Sequence, residues 1–136
     1  MQIDHLMISV PNYKETIEWY QSKFDATIEK EWTVNELDLQ LAYLNVHGFR
    51  LEVVGSPQAR SGMPKMSNFD EMLKTTGIGH FCFRVDSVDN TIAELNRKGV
   101  PTLIEPLDAP QVDLRVGFVK DNNGNIIEFC SAMNSA

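Results

Sequence analysis

Apolar and polar residues alternate with a period of two along several short segments in the first part of the chain. Residues 2–10 show this alternation, and residues 27–34, 37–46 and 49–55 show it again after a stretch with helical spacing. Side chains of a strand point to opposite faces in turn, so such segments predict half-buried strands. Asn12 precedes the helical stretch as a candidate N-cap. The first part of the chain therefore predicts the order β-α-β-β-β.

The same order of elements is predicted a second time. A strand at 78–85 is followed by a helix that begins after Ser87 and ends at Gly99, and by strands near 101–105, 113–120 and 125–131. Residues 57–77 are interrupted by proline and glycine and predict a linker with a short helix near 67–75. We expect one α+β domain over 1–136, with module 1 at about 1–56 and module 2 at about 78–132.

The two modules also match in sequence. The segment IDHLMISV at 3–10 aligns with IGHFCFRV at 78–85, and GFRLE at 48–52 aligns with GNIIE at 124–128. His80 thus follows His5 by 75 positions, and Glu128 follows Glu52 by 76. In each of these four strands, the His or Glu lies on the face opposite the apolar residues.

This pattern predicts a metal site. Two carboxylates and two imidazoles that face each other without a cation would cost several kcal/mol in desolvation and repulsion. A divalent cation removes that cost, which makes His5, Glu52, His80 and Glu128 candidate ligands. The alternative is that each is an ordinary hydrogen-bonded or solvated strand residue.

Composition narrows the class of protein. The net charge of −7 and the pI near 4.8 argue against a nucleic-acid partner, because such binding depends on clustered Lys and Arg. No apolar run approaches the roughly 20 residues that span a bilayer, and the first residues lack the features of a secretory signal. The two cysteines form no CxxC pair and favour a reducing compartment. We expect a cytoplasmic protein with a small-molecule substrate and no membrane partner.

The segments IDHLMISV, FRLEVV, GIGHFCFRV and KDNNGNIIEFC resemble the vicinal oxygen chelate superfamily, which includes glyoxalase I, extradiol dioxygenases, methylmalonyl-CoA epimerase, fosfomycin-resistance enzymes and bleomycin-binding proteins. The resemblance implies two tandem βαβββ modules curled into an open half-barrel around one metal, and a homodimer. The ligand order His, Glu, His, Glu resembles bacterial glyoxalase I, or lactoylglutathione lyase. Epimerases of the superfamily usually carry Gln at the position of Glu52, and bleomycin-binding proteins lack the ligands.

The activity implied by this resemblance is that of a metal-dependent lyase or isomerase. It would transfer a proton through a metal-bound enediolate on a small 2-oxoaldehyde–thiol adduct, with Glu128 as the base and Glu52 as the symmetric alternative. The ion would be nickel, cobalt, zinc, manganese or iron. Two alternatives stay open. One is a ring-cleaving Fe(II) dioxygenase of the extradiol type that uses His5, His80 and Glu128, and the other is a non-catalytic protein that binds metal and a small molecule.

Substrate contacts follow from the same alignment. The Arg that contacts glutathione in the glyoxalase family, four residues after the first His, is Ser9 in this chain, and the repeat places Arg84 at the equivalent position. Arg84 and Arg50 are therefore candidate anchors for an anionic substrate, or else they form ion pairs with nearby carboxylates. Cys82 and Cys130 are expected to line the cleft beside the ligands.

Overall fold

The computed structural model describes residues 1–60 and 69–133 of the chain. Its chain trace divides into two compact units, Met1–Gly62 and Met63–Ala136. Within the described residues there are eight strands and three α-helices. None of these helices is long and apolar enough to cross a membrane.

The first unit contains one helix and a four-stranded sheet. Its elements are β1 (Leu6–Val10), α1 (Tyr13–Phe24), β2 (Thr27–Val34), β3 (Leu39–Val46) and β4 (Phe49–Gly55). The strands lie in the order β1-β4-β3-β2, and β1 runs parallel to β4 while the other neighbours are antiparallel. A parallel neighbour requires a crossover connection, which α1 and the following strands provide.

The second unit repeats this topology. Its elements are α2 (Phe69–Lys74), β5 (His80–Arg84), α3 (Val88–Arg97), β6 (Thr102–Ala109), β7 (Leu114–Lys120) and β8 (Ile126–Ala132). The sheet order is β5-β8-β7-β6, with β5 parallel to β8. The α+β class and the two tandem βαβββ modules are therefore confirmed.

The element boundaries differ from the prediction in a few places. The first strand begins at Leu6 rather than at residue 2, so His5 lies immediately before it. Short 3₁₀ turns at Asn35–Leu37 and Pro110–Val112 precede β3 and β7 and were not predicted. The short helix predicted in the linker is α2, whereas residues 61–68 of that linker lie outside the described residues.

In the first unit the apolar and polar faces of the strands are arranged as predicted. In the first unit, Val10, Leu51 and Val53 are completely buried on the face that α1 covers, while the side chains of His5 and Glu52 lie on the other face. Burying each of these apolar side chains contributes about 1.5–3 kcal/mol to folding. In the second unit the face that carries Glu128 is itself partly core, because Ile126, Cys130 and Phe118 pack there with Met72 of α2.

Candidate metal centre

The first unit brings His5 and Glu52 together. Met7 lies directly opposite Glu52 in the parallel pair of β1 and β4, and His5 precedes Met7 by two residues on the same face. The Nε2 atom of His5 is 3.9 Å from Oε2 of Glu52. The Glu52 side chain is only 16% exposed, so its charge is largely withdrawn from water.

The second unit brings His80 and Glu128 together in the same register. Cys82 lies opposite Glu128, and His80 precedes Cys82 by two residues. The Nε2 atom of His80 is 2.8 Å from Oε2 of Glu128, whose side chain is 17% exposed. The internal sequence repeat therefore corresponds to a repeated pair of an imidazole and a carboxylate.

Each pair brings together two ligand types that divalent-metal sites use, at distances close to the spacing of two ligands on one ion. Two ligands that are each about 2.1 Å from a cation, at angles of about 90–109°, are separated by about 3.0–3.4 Å. The observed separations of 2.8 and 3.9 Å lie on either side of that range. Imidazole nitrogen and carboxylate oxygen also suit the ions from manganese to zinc. Among residues 1–60 and 69–133, no group of three or more His, Cys, Asp or Glu side chains forms a metal site, so each unit supplies a pair.

The two carboxylates have different neighbours on the adjacent strand. Tyr43 lies opposite Glu52, and desolvation together with the charge of Glu52 raises the pKa of Tyr43. At the matching place in the second unit, Phe118 lies opposite Glu128. A phenyl ring offers no hydrogen bond, so the polar neighbour of Glu128 is His80, 2.8 Å away, whereas Glu52 has a phenol on the adjacent strand and lies 3.9 Å from His5.

Asp4, Arg50 and Glu29 form a series of ion pairs that begins at the Nδ1 atom of His5. The Nδ1 atom of His5 is 2.6 Å from Oδ2 of Asp4, and Arg50 donates to the same Asp4 carboxylate over 3.1 Å. Arg50 also donates to Glu29 over 3.0 Å, and its guanidinium lies 5.0 Å from the ring centre of Tyr43. The hydrogen bond from His5, followed by that from Arg50, lowers the pKa of Asp4.

His80 has a different partner. Its Nδ1 atom is 3.3 Å from the Sδ atom of Met72 on α2, and its ring packs edge-on against Phe118 at 5.5 Å. Met72 also covers Gly79, where an added Cβ would lie 2.9 Å from the Met72 Cγ atom. Gly79 aligns with Asp4 in the repeat and has no side chain. The Met72 thioether therefore contacts Nδ1 of His80, whereas the Asp4 carboxylate contacts Nδ1 of His5.

The predicted substrate-binding residues are placed as follows. Arg50 forms the ion pairs that the sequence allowed as an alternative, and its role as a substrate anchor stays a prediction. Ser9 and Arg84 are exposed on the same sheet faces as the candidate ligands. Cys82 is exposed and Cys130 is buried, and neither forms a disulfide. Desolvation, together with a hydrogen bond between the two thiols, raises the pKa of Cys82.

Sequence reasoning missed three residues that contact the candidate ligands. Asp4 directly precedes His5 in an aligned segment, so its partnership could have been suspected from the sequence. The offset of 75 likewise pairs Tyr43 with Phe118 and shows that one copy has a hydroxyl that the other lacks. Met72 lies in the linker, which has no counterpart in the first module, and no sequence signal points to it.

A separate polar cavity of about 440 Å³ lies in the first unit near the start of α1, and Lys14, Asp38 and Gln40 line it. Arg115 occupies the position of Gln40 in the second module, where it binds the Asp89 carboxylate through bonds of 2.6 and 2.9 Å. The ion pair of Arg115 with Asp89 in the second module therefore lies at the position that corresponds to the cavity of the first module. The lining of this cavity includes neither His5 nor Glu52.

The fold and the paired His and Glu residues agree with a family match. The family described as the Glyoxalase/Bleomycin resistance protein/Dioxygenase superfamily matches residues 2–129, and the chain belongs to it.

The individual proteins to which the chain is similar have low sequence identity to it. The chain is 22% identical over 129 residues to human mitochondrial methylmalonyl-CoA epimerase, and the alignment covers 93% of this chain and 72% of the epimerase. It is 26% identical over 113 residues to lactoylglutathione lyase of Schizosaccharomyces pombe, which covers 73% of this chain but only 37% of the lyase. A solved glyoxalase family protein from Enterococcus faecalis has the same fold, with a TM-score of 0.80, 24% identity, and coverage of 95% of this chain and 96% of that protein.

Proposed function

We propose that the chain is a divalent-metal-dependent lyase or isomerase of the glyoxalase I type, which acts on the adduct of a small 2-oxoaldehyde with a thiol. The observation that carries the proposal is the repeated pair: one imidazole and one carboxylate at the same strand register in both modules. The two pairs together would provide two nitrogen and two oxygen ligands to one ion, within one chain or across a homodimer. Membership of the superfamily supports the proposal.

His5, Glu52, His80 and Glu128 would hold the ion. When bound, a divalent cation supplies Lewis-acid stabilisation of negative charge on a substrate oxygen. The proton transfer itself belongs to a carboxylate of the chain. Glu128 takes the proton from the carbon next to the carbonyl and returns it to the neighbouring carbon, as a general base and then a general acid. We assign this step to Glu128 because it occupies the position of the base in the glyoxalase I pattern that the chain resembles, and Glu52 is the symmetric alternative.

The match to methylmalonyl-CoA epimerase favours a second candidate, the epimerisation of an acyl thioester. That match extends over 93% of this chain. Both reactions move a proton on a carbon next to a carbonyl, so the same carboxylate could serve either of them. The two candidates share the first step, removal of the proton by Glu128, and differ in where a proton returns: to the neighbouring carbon in the isomerisation, and to the opposite face of the same carbon in the epimerisation, where Glu52 would be the candidate acid.

Metal analysis followed by a substrate screen tests the proposal. The purified protein is analysed for transition metals, stripped with a chelator and reloaded separately with Ni²⁺, Co²⁺, Zn²⁺, Mn²⁺ or Fe²⁺. Each form is assayed with methylglyoxal plus glutathione or another thiol, with a 2-methylmalonyl thioester, and with catechol under oxygen. We expect thioester formation from methylglyoxal in the presence of one of the thiols.

Each other outcome selects a different function. Proton exchange only on the methylmalonyl thioester would replace the lyase with the epimerase, and oxygen uptake with the Fe²⁺ form would replace it with the dioxygenase. Tight metal binding without turnover would indicate a binding protein. A protein that takes up no transition metal would refute the metal centre itself. Glu36→Gln, in the exposed 3₁₀ turn before β3, is the control for loss of a carboxylate outside the site.

A further inference from the structure

The two candidate histidines differ in which ring nitrogen meets the stronger hydrogen-bond acceptor. In His5, Nδ1 is 2.6 Å from the Asp4 carboxylate, whereas Nε2 is 3.9 Å from Glu52, which is beyond hydrogen-bond distance. In His80 the arrangement is reversed, with Nε2 2.8 Å from the Glu128 carboxylate and Nδ1 beside a thioether. A carboxylate is a strong acceptor and a thioether sulfur is a weak one.

We propose that Asp4 is a positioning residue that fixes His5 in the tautomer with its proton on Nδ1. The first half-site, formed by His5 and Glu52, is thereby preorganised for metal, whereas the second half-site, formed by His80 and Glu128, is not. The inference rests on the proposed metal centre. A neutral imidazole carries a single N–H, so a proton on Nδ1 leaves the lone pair on Nε2, which faces Glu52. A carboxylate behind a metal-binding His orients the ring in this way and increases its basicity as a ligand.

Arg50 and Glu29 complete this arrangement. Arg50 donates to both oxygens of Asp4, over 3.1 and 3.2 Å, and is held from the other side by Glu29. The Asp4 side chain is 64% exposed and would otherwise rotate freely in solvent. These ion pairs use the Nε and Nη1 donors of Arg50, so Arg50 holds the Asp4 carboxylate in place.

The second half-site must change before it can bind a cation. With its proton on Nε2, directed at Glu128, His80 has no lone pair on the nitrogen that faces the carboxylate. The proton has to move to Nδ1, where Met72 Sδ can accept it at 3.3 Å. Metal binding therefore requires a change of tautomer at His80 that it does not require at His5.

Histidine ring NMR tests the assignment without any metal. Protein with ¹⁵N-labelled histidine is freed of metal with a chelator and studied at about pH 9, where imidazole is neutral. The chain has three histidines, so His47→Gln identifies the third set of signals. We expect the Nδ1–H tautomer for His5 and the Nε2–H tautomer for His80. Asp4→Asn should shift His5 toward the Nε2–H form, while Asp38→Asn, which removes a carboxylate from an exposed turn of the same unit, should leave it unchanged.

Titration with Co²⁺ or Zn²⁺ alone supplies the second readout. Loss of such a partner of a metal-binding His typically weakens metal affinity about 10–100-fold, which is the effect we expect for Asp4→Asn, with a smaller loss for Arg50→Gln. Wild-type His5 in the Nε2–H form, or an unchanged tautomer and affinity in Asp4→Asn, would overturn the positioning role and leave the metal centre intact. A wild-type protein that binds no metal but shows the Asp4-dependent tautomer would refute the metal centre and the preorganisation for metal, while Asp4 would still be shown to set the tautomer of His5.

Discussion

Replacing each ligand glutamate with glutamine, one at a time, separates the carboxylate that moves the proton from the one that only binds. Both substitutions preserve side-chain shape and remove one negative charge. In Glu52→Gln the amide keeps the shape of the side chain opposite Tyr43, and its oxygen can still accept a hydrogen bond or bind the cation. In Glu128→Gln the residue opposite is Phe118, and the group that accepts the proton is lost.

The expected effects differ in size and in kind. Loss of a general base costs about 10²–10⁴-fold in rate, or about 2.7–5.4 kcal/mol in activation free energy, and this loss should appear in kcat of Glu128→Gln. Both variants should bind metal more weakly, because a neutral amide replaces an anionic ligand. At saturating metal, however, Glu52→Gln should keep kcat within about tenfold of wild type. The resemblance to epimerases that carry Gln at this position points the same way.

The assay measures turnover and the exchange of the substrate carbon-bound proton in deuterium oxide, each at a metal concentration far above the measured Kd of that variant. Glu36→Gln serves as the control for loss of an exposed carboxylate. If Glu52→Gln loses as much exchange as Glu128→Gln under saturating metal, the assignment of the proton transfer to Glu128 fails. If Glu128→Gln retains full activity, Glu128 has no part in the chemistry.

Three further predictions concern stability. Gly117→Ala should lower the free energy of unfolding by about 1–3 kcal/mol, because the new Cβ would lie 2.4 Å from Ile92 Cδ1; unchanged denaturant unfolding would contradict this close packing of α3. The hydrogen bond from Arg115 lowers the pKa of Asp89 in the folded state, so the ionised form stabilises the fold fully above the unfolded value of about 3.9 and less as the pH falls through the lower folded value. Asp89→Asn should therefore be less stable than wild type at pH 7, with a difference that shrinks in acid; a difference independent of pH would argue against the ion pair. Finally, an ion at about 100 times its Kd should add about 2.7 kcal/mol to the free energy of unfolding, visible as a higher Tm that EDTA reverses, and equal Tm values would count against a bound metal.

The sequence by itself determined the two-module architecture and the face on which each candidate ligand lies. A strand has a side-chain period of two, so the apolar positions of each segment fix the buried face and leave His5, Glu52, His80 and Glu128 on the other. The internal repeat also aligns His with His and Glu with Glu, which is enough to group the four candidates. These are local properties of short segments, and each of them can be recognised from the order of residues along one chain.

Only the tertiary structure decided what surrounds those ligands. The parallel pairing of β1 with β4 set the distance from His5 to Glu52, and the same pairing in the second unit gave a shorter distance. Arg50 was open to two interpretations in the sequence, because its partners lie 21 and 46 residues away. Met72 reached His80 from a segment with no counterpart in the first module. Contacts of this kind depend on how separate elements pack, and alternation along one strand carries no information about the residues that another element brings to it.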